Sequence, residues 1–347
     1  MTGWAATELQ FADLGDKRRN KRLVRLVEDL AAQPASVPQA SGDLAATQAA
    51  YEFWSSPHIK AQAIGEAHQK STLERVKQHT IIIAIQDTTE LNFTHHPSKK
   101  GMGYLDNANS RGLKVHSVFC SSAQGVPLGV LHQQVWARDL ADLGKKRERL
   151  EPVSLQVILA VEDNPPPGVE PVCWLLLTTL AVSCFEDVVE CLRWYTYRWL
   201  IERYHYVLKS GCRLEQLQLE TSARIYRALA TYTIVAWRLL WITYQARYYP
   251  QTPADTVLAT HEWQALYCTI HKTPIPRVSP PNLNTCVRWI AQLGGFLARK
   301  GDGEPGVKTI WQGLQRLHDI ARTWLLLSPA TITSVKSEFV KKDVTNA

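Results

Sequence analysis

The hydrophobic period of this chain changes twice, and that change limits the folds open to it. The run His79-Thr80-Ile81-Ile82-Ile83-Ala84-Ile85-Gln86 is short and β-branched and reads as a buried strand ending in Asp87-Thr88-Thr89. A polar, glycine-bearing loop through Arg111 follows it. Further strands are expected at Leu113 to Ser121 and Pro127 to Trp136, joined by the turn Ala123-Gln124-Gly125 as a β-meander. Two more are expected at Ser154 to Val161 and Val172 to Leu180, around the rigid turn Asn164-Pro165-Pro166-Pro167-Gly168.

On either side the period is helical. Asp16 suits a cap for a helix with apolar positions Leu23, Leu26, Val27 and Leu30, which ends before Pro34. Ser41 or Asp43 starts a second helix through Trp54, and a third runs to about Lys77. A long helix is expected from about Phe185 to Ser210, stopped by Gly211. Beyond Leu214 the pattern is helical again, at Arg224 to Tyr249, Leu283 to Ala298 and Val307 to Trp324. The fold class is therefore α/β, a mixed β-sheet with flanking helices between two all-α regions. The expected divisions are 1–76, 77–212, 213–327 and a polar tail at 328–347.

Composition removes several function classes. The longest uncharged apolar stretch, Pro171 to Phe185, is too short for a membrane span, which needs about 20 residues. No apolar signal-peptide core precedes Lys17-Arg18-Arg19-Asn20-Lys21-Arg22, so the chain is expected to be cytoplasmic. Its 7 cysteines are scattered with no CxxC pair, which argues against a zinc ribbon or a disulfide framework. The net charge of +7 fits a nucleic-acid partner where the cations cluster, as they do at Lys17 to Arg25 and Lys145 to Arg149. Lys17, Arg18, Lys21, Arg22 and Arg25 share the polar face of the first long helix, which suits phosphate contact or a plain solvated face.

The most informative spacing is Tyr195, Arg198, Glu202 and Lys209. On one continuous helix these side chains fall within roughly a 60° arc. Such a stripe suits a phosphate-facing surface with one carboxylate available to a metal. A salt-bridged solvated face gives the same pattern.

Several segments together resemble the transposases of the IS4 group, most closely the Tn5 type. "LGDKRRNKRLVRL" and "QAAYEFWSSP" resemble that family's end-recognition domain. "IAIQDTTELNF", "LKVHSV" and "GVLHQQVWAR" resemble its first catalytic strands. "WLLLTTLAV" and "YTYRWLIERYHYVLKSG" resemble its final strand and its Tyr-Arg-Glu-Lys helix. "IAQLGGFLARKGDGEPGVKTIWQGLQRL" resembles its C-terminal helical domain. The resemblance implies an RNase H-like core whose two Asp and one Glu hold Mg²⁺, with Mn²⁺ as a substitute, for phosphoryl transfer on DNA. It implies Asp87 and Glu202 as catalytic and metal-binding carboxylates. It implies Tyr195, Arg198 and Lys209 as a grip on the DNA end, Trp174 as a stacking platform for a flipped base, and the 1–76 region as the end-binding domain. A buried structural tryptophan is the other reading of Trp174. Partners implied are double-stranded transposon ends and a second protomer, as a homodimer or a heterodimer with an intact transposase, in association with the bacterial nucleoid.

The second Asp of that triad is missing. No Asp-Arg-Glu-Ala-Asp run occurs, and Arg138 to Pro152 leads almost directly into Ser154 to Val161, as though an internal block had been removed. Asp163 is the best replacement by its place after a strand, yet its neighbours put it beyond the catalytic strand. Two carboxylates should leave one weakly held metal, and loss of one member of a catalytic set can cost several orders of magnitude in rate. The expectation is an RNase H-like core that is incomplete, with an unpaired sheet edge. Its cleavage should be impaired. Non-catalytic binding of ends, inhibition of an active transposase by mixed assembly, and a decayed gene product are the alternatives.

Overall fold

A computed structural model describes residues 3–107, 109–139, 141 and 153–327. The expected N-terminal helices form where their caps stand. Helix α1 is Trp4–Glu8, and α2 is Lys17–Ala32 with Asp16 as N-cap, its carboxylate accepting from the Arg18 N–H. The buried residues of α2 are Leu23, Leu26, Val27 and Leu30, the positions picked out by the period. After the short α3 (Val37–Ser41), Asp43 caps α4 (Leu44–Ser55), and α5 spans Ala61–Val76.

The strands are β1 (Ile82–Asn92), β2 (Gly103–Tyr104), β3 (Arg111–Ser122) and β4 (Pro127–Trp136). β3 is central, with β1, β2 and β4 all paired to it antiparallel. Strand β1 continues past Asp87 because Thr88, Thr89 and Leu91 keep register with β3, Leu91 opposite Leu113. Asp87 therefore lies within a strand and not at its mouth. A separate two-stranded sheet pairs β5 (Gln156–Val161) with β6 (Cys173–Thr178), again antiparallel. The expected mixed sheet is corrected by these registers: every named strand pair among the described residues is antiparallel. The reason is connectivity, since hairpins join β3 to β4 and β5 to β6, whereas a parallel pair needs a crossover.

The expected helix from 185 to 210 is also corrected. It divides into α6 (Phe185–Thr196), α7 (Trp199–Tyr206) and a π-helical turn, Val207–Gly211. At the break, Tyr197 and Arg198 N–H groups bond back only three residues, to Trp194 and Tyr195, each at 3.0 Å. After a 3₁₀ turn at Leu214–Gln216 come α8 (Ser222–Tyr248), α9 (Thr260–His271), α10 (Leu283–Leu293) and α11 (Val307–Leu327). The basic cluster at Lys145 to Arg149 and the 328–347 tail lie outside the described residues. No helix among the described residues is long and apolar enough to cross a membrane.

These elements form two compact units. One holds the chain up to Arg138 and from Leu200 onward, and the other is Asp139–Trp199. In the larger unit α8 is apolar around most of its circumference and buries Leu229, Tyr232, Ile234, Val235, Leu239 and Leu240. A helix of that pattern belongs inside a core. Trp54 of α4 is fully buried and donates to the Thr231 hydroxyl at 3.2 Å, while Arg227 caps the end of α4 through the Trp54 and Ile59 carbonyls. At the other end, Trp263, Leu266, Leu283, Val287, Ile290, Ile310 and Leu317 close a helical core around Ile242 and Ala246. There α10 and α11 cross closely enough that a Cβ on Gly313 would overlap the Ile290 carbonyl.

Helix α1 is held by a buried charged network. Glu8 receives two bonds from Arg75, at 2.6 and 3.0 Å, and one from His68 Nδ1 at 2.6 Å. The Val130 N–H donates to His68 Nε2 at 3.0 Å, so the ring proton sits on Nδ1 and faces Glu8. Arg75 also donates to the Leu128 carbonyl and lies 4.2 Å from the Trp237 ring. The network thereby ties α1, α5, β4 and α8 together. Burial pushes the Glu8 carboxyl up, but the bonds and charges of His68 and Arg75 outweigh that and hold it below its ordinary range.

The smaller unit is apolar at its surface. Leu159 and Leu175, directly opposite in the β5–β6 pair, are 63% and 65% exposed. Strands β5 and β6 each pair only with the other, and β1 pairs only with β3, so each leaves an outer edge without a strand among the described residues.

Removing one partner of a buried ion pair leaves the other uncompensated. Glu8→Gln should lower the unfolding free energy by about 3 kcal/mol in denaturant melts. The native Glu8 carboxyl is depressed, so its contribution is fully present above the unfolded-state value of about 4.3 and is lost as pH falls through the lower native value. A melting series in acid should show that loss in the wild type and not in Glu8→Gln. Gly313→Ala should cost about 2 kcal/mol by overpacking the α10–α11 crossing, read by the same melts.

Candidate functional site

The α2 cations project as the period predicts. With Leu23, Leu26, Val27 and Leu30 facing inward, Lys17, Arg18, Lys21, Arg22 and Arg25 are all exposed. Arg18 is paired with Asp16 at 3.2 Å, and Arg25 lies 3.7 Å from Asp29. The face remains cationic because the helix's own acids, Glu28 and Asp29, are half-buried near its C-terminal end.

In the larger unit, Asp87 stands opposite Ser117 of β3 on the same face of the sheet as the buried Ile85 and Leu91. Helix α7 meets that face through Tyr204, whose ring centroid is 5.2 Å from that of Phe119, and through His205, which lies against Ser117. The Asp87 carboxylate is 49% exposed, and its Oδ2 lies 3.5 Å from Nδ1 of His205, which is 7% exposed. Glu202 precedes His205 by three residues, so it shares the same side of α7 one turn earlier. The two carboxylates expected from the sequence thus stand on facing elements of one unit. Burial pushes the His205 imidazole down to about 4, with Asp87 acting against that and Lys209 adding to it. His205 is accordingly neutral near neutral pH.

Behind His205 lies a chain of buried polar groups that the sequence did not signal. Its Nε2 is 3.4 Å from the Ser117 hydroxyl, which accepts from Gln133 Nε2 at 3.2 Å. Gln133 Nε2 also donates to the Tyr204 hydroxyl at 3.1 Å; Tyr204 donates to Thr233 at 3.2 Å; Thr233 donates back to Gln133 Oε1 at 2.9 Å. Tyr204 and Ser117 are fully buried. Only the position of His205, three residues after Glu202, was a readable hint; the pairing of Ser117 with Asp87 depends on strand register.

Lys209 falls in the π turn, which departs from the 100° spacing behind the expected stripe. Its Nζ is 4.0 Å from Glu215 Oε1, and Glu215 accepts from the Asn92 N–H at 2.7 Å at the end of β1. Gly211 lets this turn approach α11, where a Cβ would press on the Trp311 ring at 3.0 Å.

In the smaller unit, Trp174 of β6 meets Tyr195 of α6 edge to face, ring centroids 5.1 Å apart. The Arg198 guanidinium lies 5.8 Å from the Tyr195 ring and 5.0 Å from that of Trp199. Tyr195 is 36% and Trp199 54% exposed. The single-helix stripe is therefore corrected: Tyr195 and Arg198 join Trp174 in one unit, while Glu202 and Lys209 join Asp87 in the other, because the chain turns at Tyr197 and Arg198. Asp163 is exposed in the turn joining β5 to β6, within the smaller unit. Among the described residues, no group of three or more His, Cys, Asp or Glu side chains is placed to hold a metal ion.

Two family models match the chain, one toward each end. Residues 1–59 match the model described as Transposase DNA-binding, which contains the α2 basic face. Residues 234–323 match Transposase Tn5 dimerisation domain, which contains α9, α10 and most of α8 and α11. Together these matches support a Tn5-type, transposase-related protein with DNA-binding and dimerisation parts.

Proposed function

We propose that this chain is a transposase-derived protein of the Tn5 type that binds duplex DNA ends, self-associates through its C-terminal helices, and is impaired in strand cleavage. The observation that carries the reading is the exposed face of Lys17, Arg18, Lys21 and Arg22 within the region matched as transposase DNA-binding. Cations in a row on one helix face neutralise phosphates and release counterions, which gives affinity without sequence readout. Trp174 and Tyr195 offer ring faces and edges for an extruded base, with Arg198 beside them for a phosphate.

The antiparallel β1–β3–β4 meander, followed later by a helix bearing Glu202, supports descent from an RNase H-like core with an internal deletion. Asp87 and Glu202 are hard oxygen donors carried by β1 and α7 of one unit, and would be the residues to hold a Mg²⁺, or Mn²⁺ in its place. Bound there, such an ion would supply Lewis-acid stabilisation of charge at a scissile phosphate. The chain's own residues orient Asp87 against His205, exclude water from the inner side of the sheet, and set Lys209 near the end of β1. The second Asp is absent from the sequence, so Asp87 and Glu202 alone would hold a metal, and would hold it weakly. The reading therefore places the protein's activity in occupying ends at the nucleoid, or in pairing with an intact transposase and blocking it.

A gel assay on a duplex carrying the terminus of the encoding element, in Mg²⁺ or Mn²⁺, tests this. The expected result is a shifted complex with no cleaved strand. Cleavage that disappears in Asp87→Ala would establish an active nuclease and overturn the impairment. Absence of any shift would remove the DNA-binding reading and favour a decayed gene product.

A further inference from the structure

The polar chain behind Asp87 has a direction, and the direction can be worked out from both ends. Gln133 Nε2 carries two protons and contacts two hydroxyls, Ser117 and Tyr204, so both oxygens accept. Tyr204 then gives its own proton to Thr233, and Thr233 gives its proton to Gln133 Oε1, which closes a ring of three donors in one sense. Ser117, having accepted from Gln133, keeps its proton for His205 Nε2. That nitrogen is then an acceptor, and the ring proton must be on Nδ1, the atom facing Asp87 Oδ2. Turning the Gln133 amide over would reverse the bonds to Ser117 and put the proton on Nε2. An Nδ1 lone pair would then face the Asp87 carboxylate, which repels it. For a neutral ring, the amide at one end and the anion at the other agree in only one polarity.

We infer that His205 is a positioning residue for Asp87: the buried ring of Gln133, Tyr204 and Thr233, acting through Ser117, fixes the imidazole proton on Nδ1, where it holds one oxygen of the Asp87 carboxylate. No hydrogen-bond partner of the other oxygen is found among the described residues, and the carboxylate is 49% exposed. A histidine donating to one oxygen restricts rotation about the Asp87 side chain and leaves the second oxygen to a cation. Asp87 is held from the buried side by a polar relay that reaches α8. The consequence for the cation rests on the reading of Asp87 given above; the assignment of the proton does not.

The test uses the full chain with ¹⁵N-labelled histidine, and the His205 resonances are identified by their loss in His205→Asn. The expected spectrum is that of a neutral ring protonated at Nδ1, with the preference weakened in Gln133→Leu. A ring protonated at Nε2 in the wild type overturns the inference. Mn²⁺ binding to the protein alone gives the second readout. Asn places its amide nitrogen where Nδ1 stood, so His205→Asn should hold Mn²⁺ to within about threefold of wild type, while His205→Leu should weaken it roughly tenfold. Equal weakening in both variants at equal melting temperature would mean a packing role only and would overturn the inference. Should the wild type bind no Mn²⁺, the metal reading of Asp87 fails, and the tautomer spectrum alone decides the role of His205.

Discussion

Helix α8 is the constraint on which the larger unit depends. It is 27 residues long and presents apolar side chains in nearly every direction, so it can exist only if other elements cover it on all sides. The N-terminal helices cover one side through Trp54 and the Arg227 cap. Strand β4 and helix α7 meet it through Gln133, Tyr204 and Thr233. Its C-terminal half starts the helical core that α9, α10 and α11 complete. The region matched as DNA-binding and the region matched as a dimerisation domain therefore share one internal support, and a fault in α8 would reach both.

Several polar groups buried against α8 are satisfied by a partner on another element, and each of those fixes the placement of two elements at once; the Tyr232 hydroxyl of α8 is buried without a hydrogen-bond partner among the described residues. Glu8, His68 and Arg75 fix α1 and α5 against β4. Arg238 does the same for the chain start: it is buried, its guanidinium is pushed down to about 10 by that burial, and it lies 4.8 Å from the Trp4 ring and 4.5 Å from the Trp241 ring. Gln133, Tyr204 and Thr233 fix α7, and through Ser117 and His205 they reach Asp87. Apolar packing alone would let these elements slide; directional bonds select one arrangement.

Much of this was legible in the sequence. Asp16 and Asp43 name their helices because a short carboxylate before an apolar period satisfies otherwise unpaired N–H groups. The inward face of α2, and hence its cationic outer face, follows from the 3.6-residue period. Strand β4 needed only Pro127 and the turn before it. What could not be read depends on pairing across the chain. The extension of β1 beyond Asp87 is a matter of register with β3. The break at Tyr197 and Arg198 carries no glycine or proline to announce it, and the π turn at Val207–Gly211 is set by packing against α11. The break leaves Tyr195 and Arg198 in one unit and Glu202 and Lys209 in the other, and the π turn takes Lys209 off the 100° spacing. The relay behind Asp87 was invisible for the same reason, since Ser117, Gln133 and Thr233 are separated in sequence and meet only when β3, β4 and α8 pack.

The central claim is that the α2 face engages DNA phosphates, and the salt dependence of duplex affinity tests it most directly. The account predicts a linear fall of log affinity with log salt concentration, with a slope reduced by about two in the Lys21→Ala/Arg22→Ala variant, roughly one for each cation removed. The melting temperature should be unchanged, because both side chains are exposed. An unaltered slope in that variant, or wild-type affinity that does not respond to salt, would contradict the account.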